Sequence, residues 1–80
     1  MATANRVLRS IETDDGGRCV DLFARPDGTF GFEEYRRDIE DGRGWFAIGF
    51  HASGVYETAD GAWRDALSKV AWLGEVIDRG

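Results

Sequence analysis

Alternating apolar and polar residues predict two β-strands in the first half of the chain. Residues 18–25 (RCVDLFAR) place Val20, Leu22 and Ala24 on one side, because successive side chains of a strand point to opposite faces. A second strand is predicted over residues 29–37. The two strands are close enough in sequence to form a hairpin.

The turn between these strands is the sequence RPDGT, residues 25–29. Proline presets φ at the first central position, and glycine supplies the left-handed residue that a type I turn with a bulge requires. A three-residue loop of this kind places Leu22 opposite Phe32, so that the apolar faces of the two strands coincide. On the other face, Phe23 is expected to cover Gly31.

Three further segments complete the predicted secondary structure. A third strand is expected in WFAIGFHA, residues 45–52, after a polar connection over residues 38–44. A helix with one broad apolar face is expected to start at the N-cap Thr58 and to include residues 62–77. Residues 6–13 fit either a short helix or a weak strand.

These elements predict an α+β fold, in which a three-stranded antiparallel β-meander packs on one C-terminal α-helix. Residues 6–13 add either a helix or a strand. We expect a single β-β-β-α domain over residues 1–80, with residues 1–5 flexible. The predicted core consists of Val20, Leu22, Phe30, Phe32, Phe46, Ile48, Phe50, Trp63, Ala66, Leu67, Val70 and Ile77.

Composition narrows the class of partner and the compartment. Fifteen acidic and ten basic residues give a net charge of −5, which disfavours nucleic acid because phosphates require a basic face. The single cysteine, Cys19, cannot form an internal disulfide and suits a reducing compartment. No apolar run resembles a signal peptide or a membrane span, so we expect a soluble, cytoplasmic protein without a membrane partner.

The reactive side chains do not form a recognisable catalytic motif. Cys19 is expected to be a small buried apolar residue, and His51, the only histidine, has no serine or cysteine partner in a known pattern. Asp21 and Glu33 should face each other across the hairpin, and we expect solvated carboxylates neutralised by Arg25 or Arg37. We therefore predict no enzymatic activity, no cofactor and no metal site.

Trp72 and Val76 are a candidate interface on the predicted helix. In a continuous helix, Trp72 lies about half a turn round from Trp63, away from the sheet. Either residues 6–13 fold back over this pair, or a second protein, most simply another copy of the chain, covers it. The third alternative is that the predicted helical phase is wrong.

The outer face of the predicted sheet is a second candidate surface. Aromatic residues interleaved with arginines are typical of sheets that stack single-stranded nucleic acid, but they also occur as solvated cross-strand pairs. The candidate residues are Phe23, Tyr35, Trp45, His51, Arg25 and Arg37.

The order of strands followed by YETADGAWRDALSKVAWL resembles small uncharacterised bacterial β-β-β-α proteins and, as a pattern, HicB-type antitoxin modules. Thr58, Asp60, Ala62 and Ala66 match the antitoxin pattern of a threonine followed by an acidic, alanine-rich helix. This resemblance implies inhibition of a toxin. With a helix at residues 6–13 the order becomes that of double-stranded RNA-binding domains, but the last helix lacks their lysine cluster.

We therefore expect a small non-enzymatic protein-interaction module, homodimeric or bound to another protein, without a nucleic-acid partner. The alternatives are a single-stranded nucleic-acid-binding module that uses the outer face, and an antitoxin-like toxin inhibitor.

Overall fold

The fold is a four-stranded antiparallel sheet followed by two helices, as seen in a computed structural model that describes residues 5–38, 42, 44–49 and 51–79. The elements are β1 (Arg6–Glu12), β2 (Arg18–Ala24), β3 (Phe30–Arg36), β4 (Phe46–Ala47), α1 (Ala59–Lys69) and α2 (Ala71–Arg79). The strands lie in the order β1-β2-β3-β4. The predicted α+β class is confirmed. Of the predicted flexible residues 1–5, residues 1–4 lie outside the described part of the chain.

The β2–β3 hairpin has the predicted turn and the predicted register. The Arg25 amide donates to the Thr29 carbonyl at 2.8 Å, and Gly28 has a φ of 90°, the left-handed conformation that glycine adopts without strain. Phe23 lies over Gly31, where an added Cβ would be 2.9 Å from the ring. Local turn chemistry therefore determines this part of the sheet.

Residues 6–12 form a strand, β1, which settles the ambiguity of the N-terminal segment. β1 pairs antiparallel with β2, with a bulge between Val7 and Arg9. After the bulge, Arg9 and Ile11 lie opposite Leu22 and Val20, while Ser10 lies on the other face. A strand is favoured because this segment can pair with the otherwise unpaired edge of β2. The periodicity of the segment itself does not report the presence of that edge.

β4 is much shorter than the strand predicted over residues 45–52. It pairs with β3 for two residues, and the chain then leaves the ladder because the amides of His51 and Ala52 donate to the Glu33 side chain. Phe46, predicted in the core, is 46% exposed, so that prediction is wrong. Phe50, also predicted in the core, lies outside the described residues.

The predicted single C-terminal helix is two helices. Thr58 caps α1 as predicted, accepting a hydrogen bond from the Gly61 amide at 3.0 Å. α1 ends at Lys69, and its C-cap Val70 has an extended conformation with φ −103° and ψ 99°. The break changes the helical phase, so Trp63 and Trp72 both pack against the core rather than pointing in opposite directions.

The core lies between one face of the sheet and the two helices. Val20, Phe32, Ala66, Val70 and Leu73 form its fully buried centre. The burial of Val20, Leu22, Phe32, Ala66 and Val70 confirms the prediction for these five, whereas Leu67 is 38% exposed and was predicted wrongly. Phe30, Ile48, Trp63 and Ile77 are half-buried. We call this side of the sheet the helix face, and the side that carries Cys19, Asp21 and Phe23 the outer face.

Candidate functional site

The six residues predicted on the outer face occupy three separate places. Tyr35, Trp45 and Arg37 lie together at the end of β3, Phe23 and Arg25 lie at the hairpin, and His51 packs against the helix face. The six residues therefore do not form one continuous aromatic surface.

Phe23 and Arg25 act together to hold the hairpin against a later loop. The Arg25 guanidinium lies 5.1 Å from the centroid of the Phe23 ring, and Phe23 is only 6% exposed. Arg25 donates to the carbonyls of Phe30 at 2.9 Å, Ala52 at 2.6 Å and Gly54 at 2.8 Å. Because its donors are used on backbone oxygens, Arg25 has a structural role in the sheet.

His51 does not lie on the outer face. Its ring centroid is 5.0 Å from that of Phe32, a fully buried residue of the helix face. The prediction of His51 as an outer-face residue is wrong, because the extended third strand on which it depended ends at Ala47.

Glu33 lies opposite Asp21 as predicted, but it is not a solvated carboxylate. It is 3% exposed and accepts three backbone hydrogen bonds, from Glu34 at 2.8 Å and from His51 and Ala52 at 3.2 Å each. Neutralisation by an arginine was the wrong expectation. Backbone N–H groups stabilise the buried carboxylate instead, and they fasten the loop after β4 to β3.

A pocket of about 180 Å³ opens on the outer face. Three strands and the segment before β4 contribute to it. Its lining residues are Ser10, Glu12, Cys19, Asp21, Tyr35 and Trp45. We call this cavity the outer-face pocket. It contains two of the six predicted outer-face residues.

Ser10, Cys19 and Asp21 form a hydrogen-bonded cluster in the outer-face pocket. The Ser10 hydroxyl donates to Asp21 Oδ1 at 2.7 Å, the Cys19 thiol donates to the same oxygen at 3.3 Å, and the hydroxyl and thiol are 3.2 Å apart. Burial raises the pKa of the Cys19 thiol from 9.0 to about 11, and the Asp21 carboxylate acts in the same direction. The thiol is therefore protonated near neutral pH, and little of the nucleophilic thiolate is present.

Tyr35 and Trp45 are the aromatic residues of the outer-face pocket. Burial raises the pKa of the Tyr35 hydroxyl, and the carboxylates of Asp21 and Glu33 raise it further. Tyr35 is half-buried, and Trp45 is 38% exposed. The pocket thus combines accessible ring surface with a local excess of negative charge.

Arg37 lies beside the outer-face pocket and stacks on Trp45, with 4.4 Å from the guanidinium carbon to the ring centroid. Its Nη2 is 3.8 Å from Glu12 Oε1, and its Nε and Nη2 donate to the Gly16 carbonyl at 3.2 and 2.9 Å. Arg37 therefore joins the β1–β2 turn to Trp45.

Trp72, the first residue of the candidate interface, is half-buried against the core. Its indole N–H donates to Glu34 Oε2 at 2.8 Å, and the same oxygen is 3.5 Å from Arg18 Nη1. Trp72 was expected to be uncovered because a single continuous helix was predicted, and that prediction of one helix is wrong. Contact of Trp72 with a partner stays a prediction.

Val76, the second residue of the candidate interface, lies beside β1. A groove of about 440 Å³ runs between α2 and β1, and we call it the β1–α2 groove. It is lined by Arg9, Ser10, Ile11, Glu12, Val76 and Ile77. Sequence patterns did not predict this groove, because its existence requires residues 6–12 to be an edge strand.

The described residues contain no group of three or more histidine, cysteine or acidic side chains that could hold a metal ion. Within the same residues, neither helix has the length and apolar character needed to cross a membrane. The resemblance to HicB-type antitoxins stays a prediction. No family model, curated protein or solved structure matches this chain.

Proposed function

We propose that this chain is a non-enzymatic protein-interaction module that works as a homodimer, and that β1 makes the contact. The observation that carries this proposal is the position of β1 at the edge of the sheet, with no strand of the described residues on its second side. An edge strand presents unpaired backbone N–H and C=O groups to another strand, and strand addition is a common mode of protein recognition.

Exposed apolar side chains support β1 as the contact. Val7 is 54% exposed and Leu8 is 40% exposed, and they are neighbours at the bulge. The β1–α2 groove continues this surface with Ile11, Val76 and Ile77. A second strand placed against β1 would cover these side chains, which removes apolar area from water.

The charge pattern of β1 favours a second copy as the partner. Arg6 and Arg9 precede Glu12 along the strand. Two copies that run antiparallel bring the basic end of each strand towards the acidic end of the other, and a two-fold axis makes this pairing occur twice. The same surface on both molecules is therefore complementary to itself.

The remaining side chains favour binding over catalysis. The Cys19 thiol is held protonated, and the His51 ring packs on Phe32 rather than beside a nucleophile. The nucleic-acid alternative has less support, because Arg25 and Arg37 donate to backbone carbonyls and the outer-face pocket carries carboxylates. We extend the proposal to a cytoplasmic protein, in keeping with its single buried thiol.

The test is the absolute mass in solution, by light scattering after size exclusion, across a tenfold dilution. We expect the wild type to have twice the 8.9 kDa of one chain at the higher concentration. Leu8→Lys should be monomeric, because two buried ammonium groups would oppose the contact. Val55→Lys is the matched control: Val55 is 68% exposed and lies outside β1, so this variant should remain dimeric.

Far-UV circular dichroism shows whether each variant is folded. A wild type that is monomeric at every concentration would refute the homodimer. A folded Leu8→Lys that stays dimeric would refute β1 as the contact.

A further inference from the structure

The outer-face pocket combines aromatic side chains with carboxylates in a small cavity, and of its lining residues only Ser10 and Glu12 belong to β1. We propose that this pocket binds the guanidinium group of an arginine side chain on a protein partner. This site goes beyond the proposed homodimer, because the pocket opens on the outer face of the sheet and not along its edge.

Charge decides the class of ligand. Glu12 and Asp21 line the pocket, and no basic side chain is among its lining residues. Asp21 accepts hydrogen bonds from a hydroxyl and a thiol, which are neutral groups, so its negative charge is not neutralised by them. The chain as a whole carries −5. An anion is therefore repelled, and a cation is attracted.

The aromatic side chains favour a planar, delocalised cation. A guanidinium group stacks on a tryptophan or tyrosine ring, and its N–H groups donate at the same time to carboxylates beside that ring. Tyr35 and Trp45 supply the rings here, and Asp21 supplies the acceptor, whereas Glu12 already lies 3.8 Å from Arg37. A compact ammonium ion would use the carboxylates but gain less from the flat rings.

Arg37 already makes both kinds of contact, stacking on a ring and approach to a carboxylate, at the edge of the pocket. Its guanidinium stacks on Trp45 at 4.4 Å and approaches Glu12 at 3.8 Å. Arg37 is held there by the Gly16 carbonyl and does not line the cavity itself. The same combination of ring and carboxylate continues inside the pocket, at Tyr35 and Asp21, where the chain provides no cation.

Size favours a single side chain over a larger ligand. The cavity has a volume of about 180 Å³, below the roughly 300–1,000 Å³ typical of pockets for drug-sized molecules. One guanidinium group with part of its alkyl chain suits a cavity of this size. The rest of the ligand must then lie outside, which is the situation of an arginine presented on a protein surface.

The probe for the test is N-acetyl-L-arginine amide, which imitates an arginine within a polypeptide. Titration is followed by two-dimensional nitrogen–proton NMR, at the indole N–H of Trp45 and the amides of Asp21 and Tyr35. We expect saturable shifts that weaken as salt is added. N-acetyl-L-citrulline amide has the same shape with a neutral urea group, and it should bind about tenfold more weakly because it lacks the charge.

Asp21→Asn tests the carboxylate without removing the oxygen that Ser10 and Cys19 bind. We expect about fivefold weaker binding of the arginine probe, within the small energies of ion pairs near a surface. Glu75→Gln is the matched control: it makes the same charge change at an exposed position of α2 and should leave binding unchanged. The titration is repeated on Leu8→Lys, the variant that should be monomeric. Binding of the arginine probe by this variant shows that the site does not depend on the homodimer, so the two proposals can fail separately.

Three results would overturn the pocket as a guanidinium site. They are the absence of saturable shifts at these groups, equal affinity for the citrulline probe, and unchanged affinity in Asp21→Asn. Free arginine distinguishes a protein partner from a metabolite: it has the same guanidinium with an α-ammonium and an α-carboxylate, so a pocket that takes only the guanidinium should not bind it more tightly than the amide. Tighter binding of free arginine than of the amide would overturn the protein partner.

Discussion

Glu33 is the buried carboxylate that fastens the loop after β4 to β3. Replacing it with a neutral glutamine tests whether its hydrogen bonds hold that loop. In Glu33→Gln, one oxygen can still accept from the amides of Glu34 and His51, as Oε1 does now. The new NH₂ group then faces the Ala52 amide, which currently donates to Oε2 at 3.2 Å. Two donors are brought together, and one hydrogen bond is lost.

The expected cost follows from these contacts. Removing a hydrogen bond to a charged acceptor costs about 1.5–3 kcal/mol, and removing the charge returns part of the desolvation penalty of burying it. We therefore expect Glu33→Gln to lower the free energy of unfolding by about 2 kcal/mol. For a domain of this size, that corresponds to a fall in melting temperature of about 8–16 °C.

The assay is urea unfolding, combined with hydrogen exchange of the Ala52 and His51 amides. Protection of the Ala52 amide should fall more than the global loss of stability explains, because that amide loses its acceptor. Glu57→Gln, at an exposed position, is the control and should change stability by less than about 0.5 kcal/mol. If Glu33→Gln is as stable as that control, the three hydrogen bonds do not hold the loop.

Two further substitutions test the helix break and the contact between Tyr56 and α1. Trp72→Glu removes a ring packed on the core and places a carboxylate beside Glu34, so the free energy of unfolding should fall by about 3 kcal/mol. An unchanged urea midpoint would contradict the packing of Trp72. A hydrogen bond to Asp65 raises the pKa of Tyr56 from 10.0 to about 12, so the fold favours the protonated phenol. Its contribution is complete below pH 10 and is lost as the pH rises through 12. The stability difference between wild type and Tyr56→Phe, about 1 kcal/mol in favour of wild type at pH 8, should therefore decrease over that interval. A difference independent of pH would show that the hydroxyl contributes by packing alone.

The hairpin illustrates how far local sequence can determine structure. Pro26, Asp27 and Gly28 restrict the backbone of the turn, and once the turn is set, the register of every pair in β2 and β3 follows. The same argument correctly placed Phe23 over Gly31 and Asp21 opposite Glu33. These are contacts between residues close in sequence, for which turn geometry is sufficient.

The candidate sites were predicted only in part. Tyr35 and Trp45 were predicted on the outer face, and they do line its pocket. Ser10 and Glu12 complete that pocket from β1, and their segment had no definite secondary structure in the sequence pattern. A pocket that needs three strands side by side can be inferred only when the order of the strands is known.

Sequence patterns alone were sufficient for the α+β class, the β2–β3 hairpin, the cap of α1 and four of the five residues at the centre of the core, because turns, caps and periodicity act between near neighbours in the chain. Tertiary structure decided that residues 6–12 are an edge strand, that β4 stops at Ala47, and that the last helix breaks at Val70. Each of these depends on a distant group: the open edge of β2, the buried carboxylate of Glu33, and the sheet surface that receives Trp72. The physical reason is that the native structure minimises unpaired polar groups and exposed apolar area over the whole molecule. A local sequence pattern reflects near neighbours only and does not include these totals.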